Sequence, residues 1–504
     1  MNLWQSVEPA QLIALSILIP LLGAFLVVLT GKSPNLREAV TLTTAGILFT
    51  VVLAITDLVF SGTPMRLHVV DLFPGIGLSF DVEPLGVLFA LVASFLWIIT
   101  SIYAIGYMRG HHEQNQTRFF CCFALAISSV MAICFSGNLL TLFVFYEVLT
   151  LSTYPLVTHA GNDAAKQGGR IYLGILLSTS IAFLLLAVLG TWSVAGTLDF
   201  KPGGVFDSSD NKVVLGILLV LFCYGIGKAA IMPFHRWLPA AMVAPTPVSA
   251  LLHAVAVVKA GVFSILKVVI YIFGLDELKD LATTDVMLYI GAATILLSSC
   301  IAMTKDNLKA RLAYSTVSQL SYIVVGALLA SSVAAAGAAL HIATHAVGKI
   351  TLFFCAGAIM VASHKKNISD MVGLGRKMPL TMAAFAIGAI SIIGLPPMAG
   401  TWSKWFLTIG ALEADKLVIV AVLMISSLLN IAYLLPIPIK AFFNSATEGN
   451  SSWSWSETKE APLPCLIAIG VTSIGCLLLF FYPQPLIELI NMIPGVSTQA
   501  NGEG

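Results

Sequence analysis

Charge is what this sequence has least of. Only 10% of its 504 residues are Asp, Glu, Lys or Arg, against roughly 25% in a soluble domain. That leaves no long polar segment to fold as a separate soluble unit. The net charge is +1 and there is no basic tract, so no nucleic acid is expected as a partner. The eight cysteines, at 121, 122, 134, 223, 300, 355, 465 and 476, form no CxxC pair. Iron–sulfur ligation needs clustered thiolates, and these read as small apolar residues within apolar runs. The GxxxxGK[ST] phosphate loop and the Rossmann fingerprint are both missing. The few Ser, His and Asp residues make no nucleophile arrangement. No cofactor, no metal site and no covalent catalysis are expected. Lys and Arg are also missing before the first apolar run, Ala10 to Leu29. A signal peptide has a positive leading region, so this run is expected to be a retained span.

Apolar residues supply 58% of the chain, and runs of about 20, enough to cross a bilayer, recur throughout. The expected fold is an all-α polytopic membrane protein with fourteen spans. They fall near 10–30, 38–60, 84–108, 117–136, 138–158, 170–193, 213–232, 246–272, 283–303, 310–331, 334–361, 380–412, 417–439 and 462–482. Span seven runs into Pro233 and Pro239. Span twelve contains GLPPMAG, 394 to 400. Proline removes a helix donor and clashes with the preceding turn, so both spans are expected to be discontinuous, five spans apart.

Charge placement fixes an orientation. The odd-numbered loops of this count hold sixteen Lys and Arg residues and the even-numbered loops hold five. Short cytoplasmic loops carry the excess of positive charge. The odd loops are therefore expected in the cytoplasm, and both termini on the outer side of the cell membrane.

The five remaining cations, Lys228, Lys259, Lys267, Lys349 and Lys404, fall inside spans. Glu147 is the acidic residue near the middle of a span, and His253, His341 and His345 are the intramembrane histidines. Ionisable groups at this depth are costly and tend to mark ion paths. Each also has a plainer reading. Glu147 and Lys228 could be a fixed salt bridge between two helices, or a pair that switches. Lys259 is mid-run and followed by Ala260 and Gly261, a slim face that could admit water; it suits proton uptake and release. Lys267, near the outer end, reads better as a snorkelling side chain. His341, His345 and Lys349 recur every four residues, so they share a helix face; they suit a proton relay or a hydrogen-bonded core. Two histidines without a carboxylate or thiol make a poor metal site. His253, alone on its helix, fits relay and core equally. Lys404 could hand protons to the outer side or snorkel.

Six stretches carry a family likeness: FVFYEVLTLSTYPLV, GKAAIMPFHRWLPAAMVAPTPVSALLHAVAVVKAGVF, DNLKARLAYSTVSQLSYI, HIATHAVGKITLFFCAGAI, MVGLGRKMPLT and GLPPMAGTWSKWFL. The chain resembles the antiporter-like proton-translocating subunits shared by respiratory complex I, membrane-bound hydrogenases and Mrp-type cation/proton antiporters. The likeness runs from about residue 80 to 410. It implies two inverted five-helix repeats, 117–272 and 283–439, preceded by three helices in 1–116 and followed by a helix at 462–482 and a tail, 483–504. It implies that Glu147 and Lys228 are the family's glutamate–lysine pair and that Lys259 is the central lysine. His341, His345 and Lys349 then form a relay that ends at Lys404. The implied activity is proton translocation, with sodium or potassium as candidate counter-ions, within a complex of other membrane subunits. The length matches both an Mrp D-type subunit and the shorter complex I subunits; by fold-level analogy the Mrp D type is the expectation, and a proton-pumping subunit of a redox complex is the alternative.

Overall fold

The computed structural model describes residues 4, 7–73, 76–207, 209–444 and 459–499. Within them the chain is a multi-pass helical membrane protein. The helices are α1 (Pro9–Leu29), α2 (Pro34–Phe60), α3 (Pro84–Gly110), α4 (Gln116–Cys134), α5 (Leu139–Val157) and α6 (Asp163–Ala195). Then come α7 (Lys212–Gly225), α8 (246–273), α9 (Ala282–Thr304), α10 (Leu308–Leu328) and α11 (Ser332–Ser363). The last are α12 in two pieces (Pro379–Ile393 and Gly400–Glu413), α13 (Leu417–Phe443), α14 (Leu463–Phe481) and a short α15 (Gln484–Asn491). Each of the fourteen expected spans coincides with one of α1 to α14.

Local chemistry sets many of the starts. Proline stands in the first turn of α1, α2, α3 and α14, where its missing N–H costs nothing. Asn138, Asn162 and Asn307 cap α5, α6 and α10, each side-chain oxygen accepting from a backbone N–H three residues on, which satisfies one otherwise unpaired donor. The two predicted breaks are present. α7 ends at Gly225, about two turns before the end of its apolar run, and a 3-10 turn at Gly227–Ala229 and irregular backbone follow to Arg236. α12 is interrupted between Ile393 and Gly400.

The centre of the molecule is α11. From Val333 to Ile359 every residue is buried, because α3, α8, α10, α12 and α14 all pack on it. Its polar residues are therefore enclosed on all sides, and not merely along one face. Large apolar side chains such as Phe25, Leu29, Leu151, Ile217 and Leu428 are exposed on outer helices, as a surface bathed in lipid requires.

One element was not expected. The loop between α2 and α3 folds into a two-stranded antiparallel hairpin, β1 (Arg66–Phe73) and β2 (Ile76–Asp81). Its second strand is tied to the α4–α5 hinge, where Asn138 Nδ2 donates to Gly77 O at 2.8 Å.

Candidate functional site

The five lysines assigned to spans are the lysines buried among the described residues: Lys228, Lys259, Lys267 and Lys349 are fully enclosed, and Lys404 is 9% exposed. An ammonium in such a place needs oxygen or nitrogen partners, and each has them.

Lys228 sits just past the end of α7, in the broken segment. Its Nζ donates to Tyr146 O at 2.8 Å and to Thr150 Oγ1 at 2.6 Å. It also lies over the Tyr146 ring, 3.1 Å from the centroid. Glu147 is on the same helix as these partners, yet its two carboxylate oxygens are buried with no hydrogen-bond partner, and no Glu147–Lys228 ion pair forms among the described residues. The pair is open in this conformation, with Lys228 parked on the α5 backbone.

α8 crosses this break closely. A side-chain carbon on Gly261 would come within 2.4 Å of Ala229 N and Lys228 C. The slim face beside Lys259 thus serves backbone contact with the broken segment, which corrects the expectation that it admits water. Two residues earlier, Lys259 Nζ reaches across to α11 and lies 2.7 Å from His345 Nδ1. His253 lies in the wide π-helical turn Leu251–Val255 of α8; its side chain lies outside the described residues.

From α11 the polar contacts spread towards α10, α12 and α13. Lys349 Nζ donates to Ser315 Oγ at 2.8 Å, and Tyr433 OH lies 3.0 Å from the same hydroxyl and donates to Asn430 Oδ1. His341 Nδ1 is 2.9 Å from Ser403 Oγ, which also accepts from Thr344 Oγ1 at 3.1 Å. Next to Ser403 is Lys404, whose Nζ donates to Ile393 O at 2.9 Å and Ser427 Oγ at 3.2 Å. Ile393 is the last residue before the interruption of α12, so its carbonyl is one of those the break frees. The Lys404 stem lies on Gly394, where a side-chain carbon would come within 2.6 Å of its Cδ and where φ is +87°. Lys404 therefore points back to the break, not out towards an interface.

Lys267 also differs from expectation. A snorkelling lysine would be partly exposed. Lys267 is wholly buried, donating to Ser136 O at 2.7 Å and pairing with Glu83 Oε2 at 3.2 Å, with the Phe200 ring 4.4 Å away. The α4–α5 hinge and the segment around Phe200 cover it, and hydropathy does not reveal that cover. The hydroxyl and phenol partners Thr150, Ser315, Ser403, Ser427, Tyr146 and Tyr433 were likewise missed; FVFYEVLT, YSTVSQ and GTWSK hold four of them within recognisable stretches, but their pairing is tertiary. Among the described residues no three His, Cys, Asp or Glu side chains gather as a metal site.

The arrangement can pass a proton between titratable groups. Two family models match the chain. One, described as NADH:quinone oxidoreductase/Mrp antiporter, TM, covers residues 136–430. The other, NADH-ubiquinone oxidoreductase (complex I), chain 5 N-terminus, covers residues 74–120. The chain is 32% identical over 493 residues to NADH-quinone oxidoreductase subunit N of Desulforudis audaxviator, covering 95% of this chain and 97% of that one. It spans about half the length of the subunit 5 relatives it matches, such as that of Paulinella chromatophora. The fold is similar to a chain of an archaeal membrane-bound sulfane sulfur reductase, with a TM-score of 0.85 at 22% identity over 97% of this chain and 98% of that chain. It is also similar to a chain of the Mrp complex from Dietzia sp. DQ12-45-1b, with a TM-score of 0.83 at 23% identity over 96% and 97%.

Proposed function

The chain belongs to the NADH:quinone oxidoreductase/Mrp antiporter family of membrane subunits, and on that premise we propose that it moves protons across the cell membrane as the D-type subunit of an Mrp-type cation/proton antiporter. The path runs through Glu147, Lys228, Lys259, His253, His341, His345, Lys349 and Lys404. The observation that carries this reading is the Lys259–His345 contact at 2.7 Å, which joins the titratable groups of the first half of the chain to those of the second. The chain supplies no redox or covalent chemistry of its own; it holds and releases protons. Its partners are other membrane subunits of one complex, and sodium or potassium is the counter-ion.

The division into inverted repeats, 117–272 and 283–439, is supported by the two interruptions, each placed beside a buried lysine. Both termini lie outside, from the charge excess of the odd-numbered loops.

A second reading has its own support. A relative matched over nearly the full length of both chains is a quinone oxidoreductase subunit, which favours a proton-pumping place in a redox complex. Purification of the intact complex separates the two. Co-purifying membrane subunits without flavin or iron–sulfur proteins, with proton flux driven by a sodium or potassium gradient in vesicles, support the antiporter. Flux that requires a reduced electron donor supports the redox complex. Absence of proton flux under either drive overturns the function. A cytoplasm-dependent reporter is expected to be active after Arg376 and silent after Asp207; the reverse pattern overturns the orientation.

A further inference from the structure

Gln319 lies on α10 with its side chain fully buried, and among the described residues neither Oε1 nor Nε2 has a hydrogen-bond partner. A carboxamide offers two donors and an acceptor, and buried polar atoms are rarely left unsatisfied in folded proteins. Two cross-helix contacts locate it. Ser315 on α10 meets Lys349 on α11, and seven residues later Tyr322 stacks on His341, ring centroids 5.7 Å apart. Numbers rise along α10 as they fall along α11, so the helices run antiparallel. Gln319, one turn beyond Ser315, then falls opposite His345, one turn before Lys349. His345 holds Lys259. The unpartnered amide is therefore at the junction of the buried row. His341 Nε2, one turn before His345 on α11, is also buried without a partner among the described residues.

We infer that Gln319 anchors water at the junction between the Lys259–His345 pair and Lys349, and that protons cross this junction through that water. Buried water occupies polar sites where it meets otherwise unsatisfied groups, and the Gln319 amide provides such a site. The transfer balances without any other reactant. The Lys259 ammonium gives its proton to the water oxygen, and the same water gives one of its own protons to the neutral Lys349 amine. The water is unchanged, and the positive charge has moved from Lys259 to Lys349. Gln319 itself neither gains nor loses a proton; it is a positioning residue. This inference rests on the proposed proton path and adds to it the residue that positions water between two lysines on different helices.

The test is Gln319→Met in vesicles holding the whole complex, beside Gln319→His and Lys259→Met. Methionine keeps the shape and removes the hydrogen-bonding atoms; where an unsatisfied amide is merely buried, that exchange is neutral or stabilising. The expected result is a loss of proton flux of about tenfold or more in Gln319→Met, with assembly and Tm no lower than in the parent. Gln319→His, which keeps a donor and an acceptor, recovers much of the flux. A high-resolution map of the parent complex shows a water within hydrogen-bond distance of the amide. Full flux in Gln319→Met, or a map with the amide turned onto a protein group and no water, overturns the inference. If Lys259→Met is inactive while Gln319→Met is active, only the water junction is wrong. If Lys259→Met transports normally, the path itself is wrong, and the junction with it.

Discussion

Lys259 Nζ on α8 and His345 Nδ1 on α11 lie 2.7 Å apart, although 86 residues separate them in the chain. Both are fully enclosed or nearly so. One such contact between two basic groups is stable only if at least one of them is neutral, since two buried cations would repel and each would lack solvation. The contact can therefore hold at most one excess proton, the condition under which a relay site takes up a proton and passes it on.

Glu147 supplies the first test of how that proton is moved. Among the described residues its carboxylate has no hydrogen-bond partner, while Lys228 is held by Tyr146 O and Thr150 Oγ1. A charge on Glu147 is what can draw Lys228 off this resting place. Glu147→Ala should abolish coupled proton flux in vesicles, while the complex assembles normally. Thr150→Val removes one resting partner and keeps the carboxylate, so it should slow flux by about tenfold or less. Wild-type rates in Glu147→Ala would remove the carboxylate from the mechanism.

At the other end of the row, Lys404 separates a relay from a fixed structural cation. A terminal relay site must gain and lose a proton but need not be basic. Lys404→Glu should keep partial flux with a displaced pH optimum, and Lys404→Ala should lose most of it. Arginine stays protonated, so Lys404→Arg should be nearly inactive. The three variants are compared by flux in the same vesicles. An active arginine variant with an inactive glutamate one would mean that Lys404 only ties Ile393 O and Ser427 across the break.

Lys267 and Glu83 should behave as a structural pair. Lys267→Ala leaves a largely buried carboxylate without its counter-charge, at a cost of about 3–5 kcal/mol, and should lower the Tm of the assembled complex. Adding Glu83→Gln removes the orphaned charge and should restore much of the loss. Thermal unfolding of the two single variants and the double variant checks this; strict additivity would mean that the two residues do not interact.

How much of this was legible in the sequence follows from what each feature depends on. Fourteen apolar runs, the Pro233 and GLPPMAG breaks and the five buried lysines depend on hydropathy and helix chemistry, which are local. So does the HIATHAVGK face. What Lys267 would find at its tip depends on Glu83 and Ser136, more than a hundred residues away, and no local pattern encodes that. The same holds for Ser315 beneath Lys349 and Ser403 beside His341, because serines and threonines are common in these helices and most bond to their own backbone. Gly261 was misread for the same reason: a missing side chain makes room, and only the fold determines whether backbone or water takes it. The hairpin at Arg66–Asp81 was passed over as a loop between spans: the second strand, IGLSFD, does alternate, but the first, RLHVVDLF, breaks the alternation at two adjacent valines.

The joining of the two halves through Lys259 and His345 is tested most directly by proton flux in vesicles holding the whole complex with Lys259→Met. Methionine keeps the length and apolar stem and removes the ammonium. If the row carries the protons, flux should fall by about a hundredfold or more, with assembly intact, and His345→Ala should slow it well beyond any effect of changing His364, which is exposed at the end of α11. Wild-type flux in an assembled Lys259→Met complex would contradict a proton path through the centre of this chain.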